Sequence, residues 1–589
     1  MDPIMRRERS PSTSERDIGC WLCYSRRLWV PTDIWEDILG MFKDRLEVMA
    51  VCGRVCKAWR AITTRYTHID HYRVLHSPAE VLRFSQLSRA GILHMESVTV
   101  SGSISDSRTN RSLGHVAAFA AMLAGNVPRA LQKLSLEDGE WLAGIPRSVF
   151  LHLATFTPIT KLTLNRVEFP SIGVFDRLVC ALSHLEQLDL SNVSLRDAEG
   201  PDPRSVFSHL AAPITKLTLN HVELPANGVF DRLVCALSHL EQLHLSNVSL
   251  RDAEGPDPRS VFSHLAAPIT KLTLNHVELP ANGVFDRLVC ALPHLEQLYL
   301  SRVSFRDAEG PDPRSVFSHL AAPITELRLS YVEFPSIGVF GRLVCALSHL
   351  EQLDLCSVSF RDAEGPDPRS VFSHLAAPIT ELRLDKVEFP ANGVFDRLVC
   401  ALPHLRQLDL YSVFFRDAEG PDPRSIFSHL AAPITELTLN HVELPANGVF
   451  DRLVCALSHL EQLHLNCCFF PDVQTVVPLR RHWNTPPNLH QIQVDQSRWY
   501  SASHIFQALA ANKTIACCRQ LVSCLGRGSE ILLDSVKDIS LQRVLDCAGD
   551  SLQTLKLGLL LPSPNPGLDR ADIERLVGAS LECRMGLLR

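Results

Sequence analysis

From residue 158 to residue 466 the apolar residues recur in one figure: Leu, two residues, Leu, one residue, Leu, two residues, Val, one residue, Leu. It is seen in Ile214-Thr-Lys-Leu217-Thr-Leu219-Asn-His-Val222-Glu-Leu224 and again in Leu240-Glu-Gln-Leu243-His-Leu245-Ser-Asn-Val248-Ser-Leu250. The alternation around the central pair predicts a short strand with one buried face. After the first figure, Phe230, Leu233, Val234 and Leu237 recur at helical spacing while Asp231 and Arg232 point away, which predicts a helix over 229–237. After the second comes the turn-like run Arg251-Asp-Ala-Glu-Gly-Pro-Asp-Pro-Arg-Ser260, then Val261, Phe262 and Leu265. Asp257 followed by Pro258 suits a helix cap and first turn there.

The two halves, 26 and 29 residues long, make a 55-residue period marked by Pro-Ile-Thr six times between Pro158 and Pro433 without insertion or deletion. A fixed period predicts a solenoid, in which each unit buries its apolar face only by stacking on its neighbours. The copies are nearly identical: 213–267 and 268–322 differ only at Ser238/Pro293, His244/Tyr299, Asn247/Arg302 and Leu250/Phe305, three of them in or beside one strand. The figure resembles the leucine-rich repeat, and the alternating lengths are similar to the ribonuclease-inhibitor type of horseshoe. The resemblance implies an α/β fold, a curved leucine-rich-repeat solenoid with a parallel inner sheet and outer helices. The twelve regular units are flanked by degenerate ones at Met95xxVal98xVal100, Leu131xxLeu134xLeu136, Leu489xxIle492xVal494 and Leu552xxLeu555xLeu557, so the solenoid is expected over 73–589. At about 4.8 Å per strand, the regular units alone span on the order of 50 Å of arc, a protein-sized surface.

Ahead of the array the character differs. Residues 1–27, rich in Arg, Glu, Ser and Pro and without the apolar stretch of a signal peptide, read as a disordered tail. In 28–72, Val30-Pro31-Thr-Asp33-Ile34-Trp35 opens a helix with Ile34, Ile38, Leu39 and Phe42 on one side. Leu46 to Val51 is a second apolar helical stretch, and Val55-Cys56-Lys57-Ala58-Trp59 closes the segment. This resembles the F-box, a small three-helix unit whose pattern begins Leu-Pro-x-Glu-Ile and ends Val-Cys-x-x-Trp; Val30 stands where Leu is usual, and the stretch between Phe42 and Val55 is longer than usual. The resemblance implies docking on the adaptor that links such proteins to a cullin scaffold in SCF-type ubiquitin ligases. Pro31, Ile34, Ile38, Leu39, Val55, Cys56 and Trp59 then contact the adaptor or hold the helices that do. The alternative is that these helices simply cap the solenoid.

Composition narrows the classes. A net charge of −7 and a pI near 6.4 argue against a nucleic-acid surface, which needs a basic face. No charge-free apolar run is long enough to span a bilayer, so a soluble protein of the cytoplasm or nucleus is expected. Of the 18 cysteines, Cys180, Cys235, Cys290, Cys345, Cys400 and Cys455 are one repeat position seen six times. Successive copies stand on the order of 20 Å apart at ~10 Å per helix, too far for a disulfide. Cys20-Trp-Leu-Cys23 supplies half of a zinc site and no more. The histidines also repeat, His184, His239, His294, His349, His404 and His459 before one strand and His209, His264, His319, His374 and His429 at another position. Repetition argues for structure, whereas catalysis uses a singular constellation. Cys547-Ala-Gly-Asp550 superficially resembles the bacterial ligases that join leucine-rich repeats to a catalytic Cys, but strand figures in the same region leave no separate catalytic domain. A non-enzyme without cofactor or metal is expected.

The third, fifth and seventh positions of each strand are expected on the concave face, and there the copies diverge. The third is Lys161, Lys216 and Lys271, then Glu326, Glu381 and Glu436, so the sign of the ladder flips. The fifth brings Arg328 and Arg383 in the first halves, and Asp189, His244, Tyr299, Asp354, Asp409 and His464 in the second; Tyr411 stands at a seventh position. Either this face binds an as yet unknown target protein, with Tyr299 and Tyr411 as anchors, or its positions vary because nothing packs on them. The combined expectation is a non-catalytic substrate receptor of a cullin-based ligase; the alternative is a leucine-rich-repeat scaffold or inhibitor without ubiquitin chemistry.

Overall fold

The computed structural model describes residues 32–42, 46–67, 72–89, 95–102, 111–196, 207, 212–222, 229–248, 267–277, 284–303, 323–362, 372, 375, 377–388, 394–413, 433–442, 457–468, 489–496, 520–525 and 554–559. The chain falls into two compact units, Met1–Glu241 and Gln242–Arg589.

The first unit begins with three helices, α1 (Thr32–Gly40) and α2 (Leu46–Cys52), where the apolar spacing places them, and α3 (Lys57–Thr67), which the spacing did not give. Leu39, Met49 and Ile62, one from each helix, form a small core against which Trp35, Cys52 and Trp59 pack. Parallel strands follow, each in register with the next: Tyr72–Leu75, Ser97–Ser101, Lys133–Glu140, Lys161–Phe169, Gln187–Ser191 and Lys216–Asn220. Helices lie between the earlier strands at Pro78–Arg89, His115–Leu123, Ser148–Leu153 and Ile172–Ala181. The strand at Tyr72–Leu75 and its helix were not legible in the sequence, since four residues without the leucine figure leave little periodicity to read.

The second unit continues the pattern with parallel strands from Gln242–Ser246 through Lys271–Asn275, Gln297–Ser301, Glu326–Ser330, Gln352–Cys356, Glu381–Asp385, Gln407–Tyr411, Glu436–Asn440 and Gln462–Asn466. Strands Gln491–Gln496, Gln520–Leu525 and Thr554–Leu559 extend it. The two outer ones match the degenerate figures. The middle one escaped because Ser523, paired with Val494, stands where the second apolar residue belongs. The helix expected over 229–237 is present as Val229–Ala236, and its equivalents are Val284–Cys290, Ile337–Ala346 and Val394–Cys400. The helix expected from Asp257 through Leu265, like the tail, the Cys20–Cys23 pair and the Cys547–Asp550 stretch, lies outside the described residues.

Three local devices fix the register. The first-position Ile214, Ile269, Ile324, Ile379 and Ile434 are fully buried. The Thr after it sends its hydroxyl to the previous rung: Thr215 Oγ1 donates to the Glu186 carbonyl at 3.3 Å, and Thr325, Thr380 and Thr435 repeat the bond at the same distance. Pro-Ile-Thr thus marks a buried anchor and a hydrogen bond to the rung before. The third device is a left-handed residue at the eighth position of each regular unit, as at Asn247 (φ 51°), Arg302 (φ 52°) and Tyr331 (φ 53°). This turns the N–H back to the following strand: Asn247 donates to Asn275, Arg302 to Ser330 and Tyr331 to Cys356, each at 2.8 Å. Non-glycine residues take this conformation at a small steric cost, which the added inter-strand bond offsets. In-register parallel strands, buried leucine pairs and interleaved helices make this a leucine-rich-repeat fold.

Candidate protein-binding surfaces

The leucines of each strand are buried, and the third, fifth and seventh positions lie on the opposite, partly open face, as in the alternating burial of Lys161–Phe169, Lys271–Asn275 and Glu436–Asn440. The candidate residues Lys161, Asp189, Lys216, His244, Lys271, Tyr299, Glu326, Arg328, Asp354, Glu381, Arg383, Asp409, Tyr411, Glu436 and His464 all occupy it, each within its own unit.

In the first unit Lys161 Nζ meets Asp189 Oδ2 at 2.7 Å, so this lysine is already engaged. In the second, Glu326 is buried and its Oε1 receives Arg328 Nε at 2.6 Å. The sign change of the third-position ladder is therefore muted by neighbours one or two positions away. Tyr299 has two cations over its ring, Lys271 Nζ at 4.5 Å and Arg328 Cζ at 4.9 Å from the centroid. Burial pushes its hydroxyl pKa up, assisted by the hydrogen bond and charge of Glu326. Arg383 lies 4.6 Å from the Tyr411 ring centroid. Both tyrosines thus organise the face's cations. Sequence reading missed Tyr331, which is 55% exposed beside Arg302 at 5.3 Å; it sits at the left-handed eighth position, outside the alternating pattern.

The helical unit presents the other candidate surface. Pro31 lies outside the described residues. Leu39 is buried in the small core, so it holds the helices together. Trp59 also serves packing: its ring centroid is 4.6 Å from that of Trp35, and its backbone N–H donates to Cys56 Sγ at 3.4 Å. Ile38 and Cys56 are half-buried. Ile34 at 48% and Val55 at 41% are exposed, joined by Met41, Val51 and Phe42.

The repeated cysteines and histidines keep a structural reading. Cys180, Cys235, Cys290, Cys345 and Cys400 recur at one place on their helices, and Cys455 lies outside the described residues. Burial, with Asp176 beside it, pushes the Cys180 thiol up to about 12, so it stays protonated and unreactive. His184, His239, His294, His349, His404 and His459 are exposed just before strands, whereas the second histidine set lies outside the described residues. Among the described residues no His, Cys, Asp and Glu grouping could hold a metal, and no helix is long and apolar enough to cross a membrane.

No protein-family model matches the sequence, and no curated protein does. Solved structures do. A leucine-rich-repeat protein of Leptospira interrogans is 14% identical with a TM-score of 0.31, over 85% of this chain and 92% of that one. Toll, in its glycosylated complex with Spatzle from Drosophila, is 16% identical with a TM-score of 0.37 over 83% of this chain. The chain spans about half the length of that Toll chain, 51%.

Proposed function

We propose that this chain is the non-catalytic recognition subunit of an SCF-type ubiquitin ligase in the cytoplasm or nucleus. In this reading α1–α3 grip the adaptor that leads to the cullin scaffold, and the open strand face selects the protein to be modified. The observation that carries it is a helical unit with a core of its own that leaves Ile34, Met41, Val51 and Val55 exposed. Exposed apolar patches mark interaction sites, and two of these four residues, Ile34 and Val55, are positions that the F-box resemblance assigns to the adaptor.

The deciding experiment is co-purification of the full chain with the adaptor and cullin. Ile34→Asp with Val55→Asp changes only exposed side chains, so adaptor capture should be lost while circular dichroism stays that of the parent. Trp59→Ala makes a poorer probe, since it removes the partner of Trp35 and loosens the helices. If the unmutated chain captures no adaptor, the ligase reading falls. What then remains is a leucine-rich-repeat protein-binding scaffold, which needs only the open face.

A further inference from the structure

Between the strands Glu326–Ser330 and Glu436–Asn440, the third, fifth and seventh positions carry six carboxylates, on Glu326, Asp354, Glu381, Asp385, Asp409 and Glu436. Against them stand two guanidinium groups, on Arg328 and Arg383, and both are engaged. Arg328 holds Glu326 at 2.6 Å and lies over Tyr299. Arg383 leans over Tyr411, a seventh position on the neighbouring strand, and so away from the third-position row. In that row Glu381 is flanked by the neutral Gln352 and Gln407, and it has no ion-pair partner among the described residues.

Glu381, Asp354 and Asp409 share a cavity of about 180 Å³ with Arg328 and Arg383. Small-molecule sites run to roughly 300–1,000 Å³; this one has room for a side chain. Its acceptors are incompletely used. Asp409 Oδ2 accepts from Gln407 Nε2 at 3.2 Å, whereas Asp409 Oδ1 is buried and receives no hydrogen bond from the described residues. Asp354 is desolvated enough that burial raises its pKa despite the opposing pull of Arg383 and Arg328. A donor-rich cation fits this deficit: it supplies charge to Glu381 and a hydrogen bond to Asp409, with additional attraction from the surrounding excess of carboxylates.

We infer that the target of this face is a basic polypeptide segment, which inserts a lysine or arginine side chain beside Glu381 between the rungs of Asp354 and Asp409. The inference rests on the open face being the target-binding surface, and it adds the chemistry of the target. Among the described third, fifth and seventh positions of this stretch, an anionic partner would meet six carboxylates against two guanidinium groups.

The test uses the full chain and two labelled peptides, glycine alternating with lysine and arginine, and glycine alternating with glutamate, followed by fluorescence anisotropy at low ionic strength. The basic peptide should bind and the acidic one should not. E381Q/D409N, which keeps an amide acceptor for Gln407, should weaken the basic peptide at least about tenfold. The control E96Q/E186Q removes two exposed carboxylates from the first unit, so net charge is matched, and should change binding by less than about twofold. Equal losses in the two variants, or preferential binding of the acidic peptide, would overturn the inference. Adaptor capture is measured on the same samples and should be untouched by E381Q/D409N. Its absence in the parent chain with peptide binding intact removes the ligase reading and leaves this one standing.

Discussion

At the scale of single residues, the buried groups that titrate near neutrality matter most. His115 opens the helix His115–Leu123 and is buried, with Nε2 donating to the Leu75 carbonyl at 3.1 Å. Burial lowers its pKa from the ordinary 6.5, opposed by the bonds to the Leu75 and Ser101 carbonyls and by Glu80, while nearby His76 adds to the lowering. Because the folded state holds the proton less tightly than the unfolded chain, the contribution to stability is full above the unfolded pKa and declines as pH falls towards the folded one. The first unit should therefore melt at a lower temperature at about pH 5 than at about pH 7. In His115→Gln that part of the difference should shrink, as thermal melts followed by circular dichroism can measure. An unchanged pH dependence in the variant would mean that other groups carry it.

At the scale of elements, the fourth copy shows how an aromatic residue packs within a second, short strand pair. Phe334 stands where three other copies have Leu224, Leu279 and Leu444. It is fully buried, 5.5 Å from Phe340 and 6.1 Å from Phe360 between ring centroids. The short strand that carries it, Glu333–Ser336, pairs with Ser359–Asp362, and Glu333 makes an ion pair with Arg361 across the pair. Phe334→Ala should cost about 3–5 kcal/mol by cavity formation. Phe334→Leu, the residue of three of the sister copies, should cost less than Phe334→Ala because it leaves a smaller cavity. Removing the exposed ion pair by Arg361→Ala should cost no more than about 1 kcal/mol. Urea denaturation, with hydrogen exchange read over 326–362, gives the order of the three; a large loss in Arg361→Ala would show that the strand pair depends on charge rather than on aromatic packing.

At the scale of the whole molecule, the array should behave as a sum of units and their neighbour interfaces. Deleting residues 269–323, one 55-residue period, joins Pro268 to Ile324 and sets the strand Gln242–Ser246 beside Glu326–Ser330. Ile324, Leu327, Leu329 and Val332 then bury where Ile269, Leu272, Leu274 and Val277 were, all of them core residues. Each buried Leu or Val is worth about 1.5–3 kcal/mol, but the deleted copy also takes away its own ordering cost. The deletion should remain folded and cooperative. A deletion of 30 residues from the same start cuts into the strand Gln297–Ser301 and leaves apolar edges unmatched, so it should aggregate. Identical behaviour of both deletions by circular dichroism and proteolysis would contradict a modular array.

The sequence by itself determined the period, the buried leucine pairs, the outward third, fifth and seventh positions and the first two N-terminal helices, because each follows from spacing within one short segment. What it did not carry is contact between segments. Lys161 engages Asp189, Arg302 lies over Tyr331, and Lys271 and Arg328 flank Tyr299 only because register sets neighbouring strands alongside, bringing residues 28 or 29 apart together. Packing likewise sorted the helical unit, taking Leu39 and Trp59 inward while leaving Ile34 and Val55 outside, although all four are apolar at helical spacing. Periodicity tells which side of an element is apolar. Which apolar residue finds a neighbour, and which charge is already spent, is decided by the rung alongside.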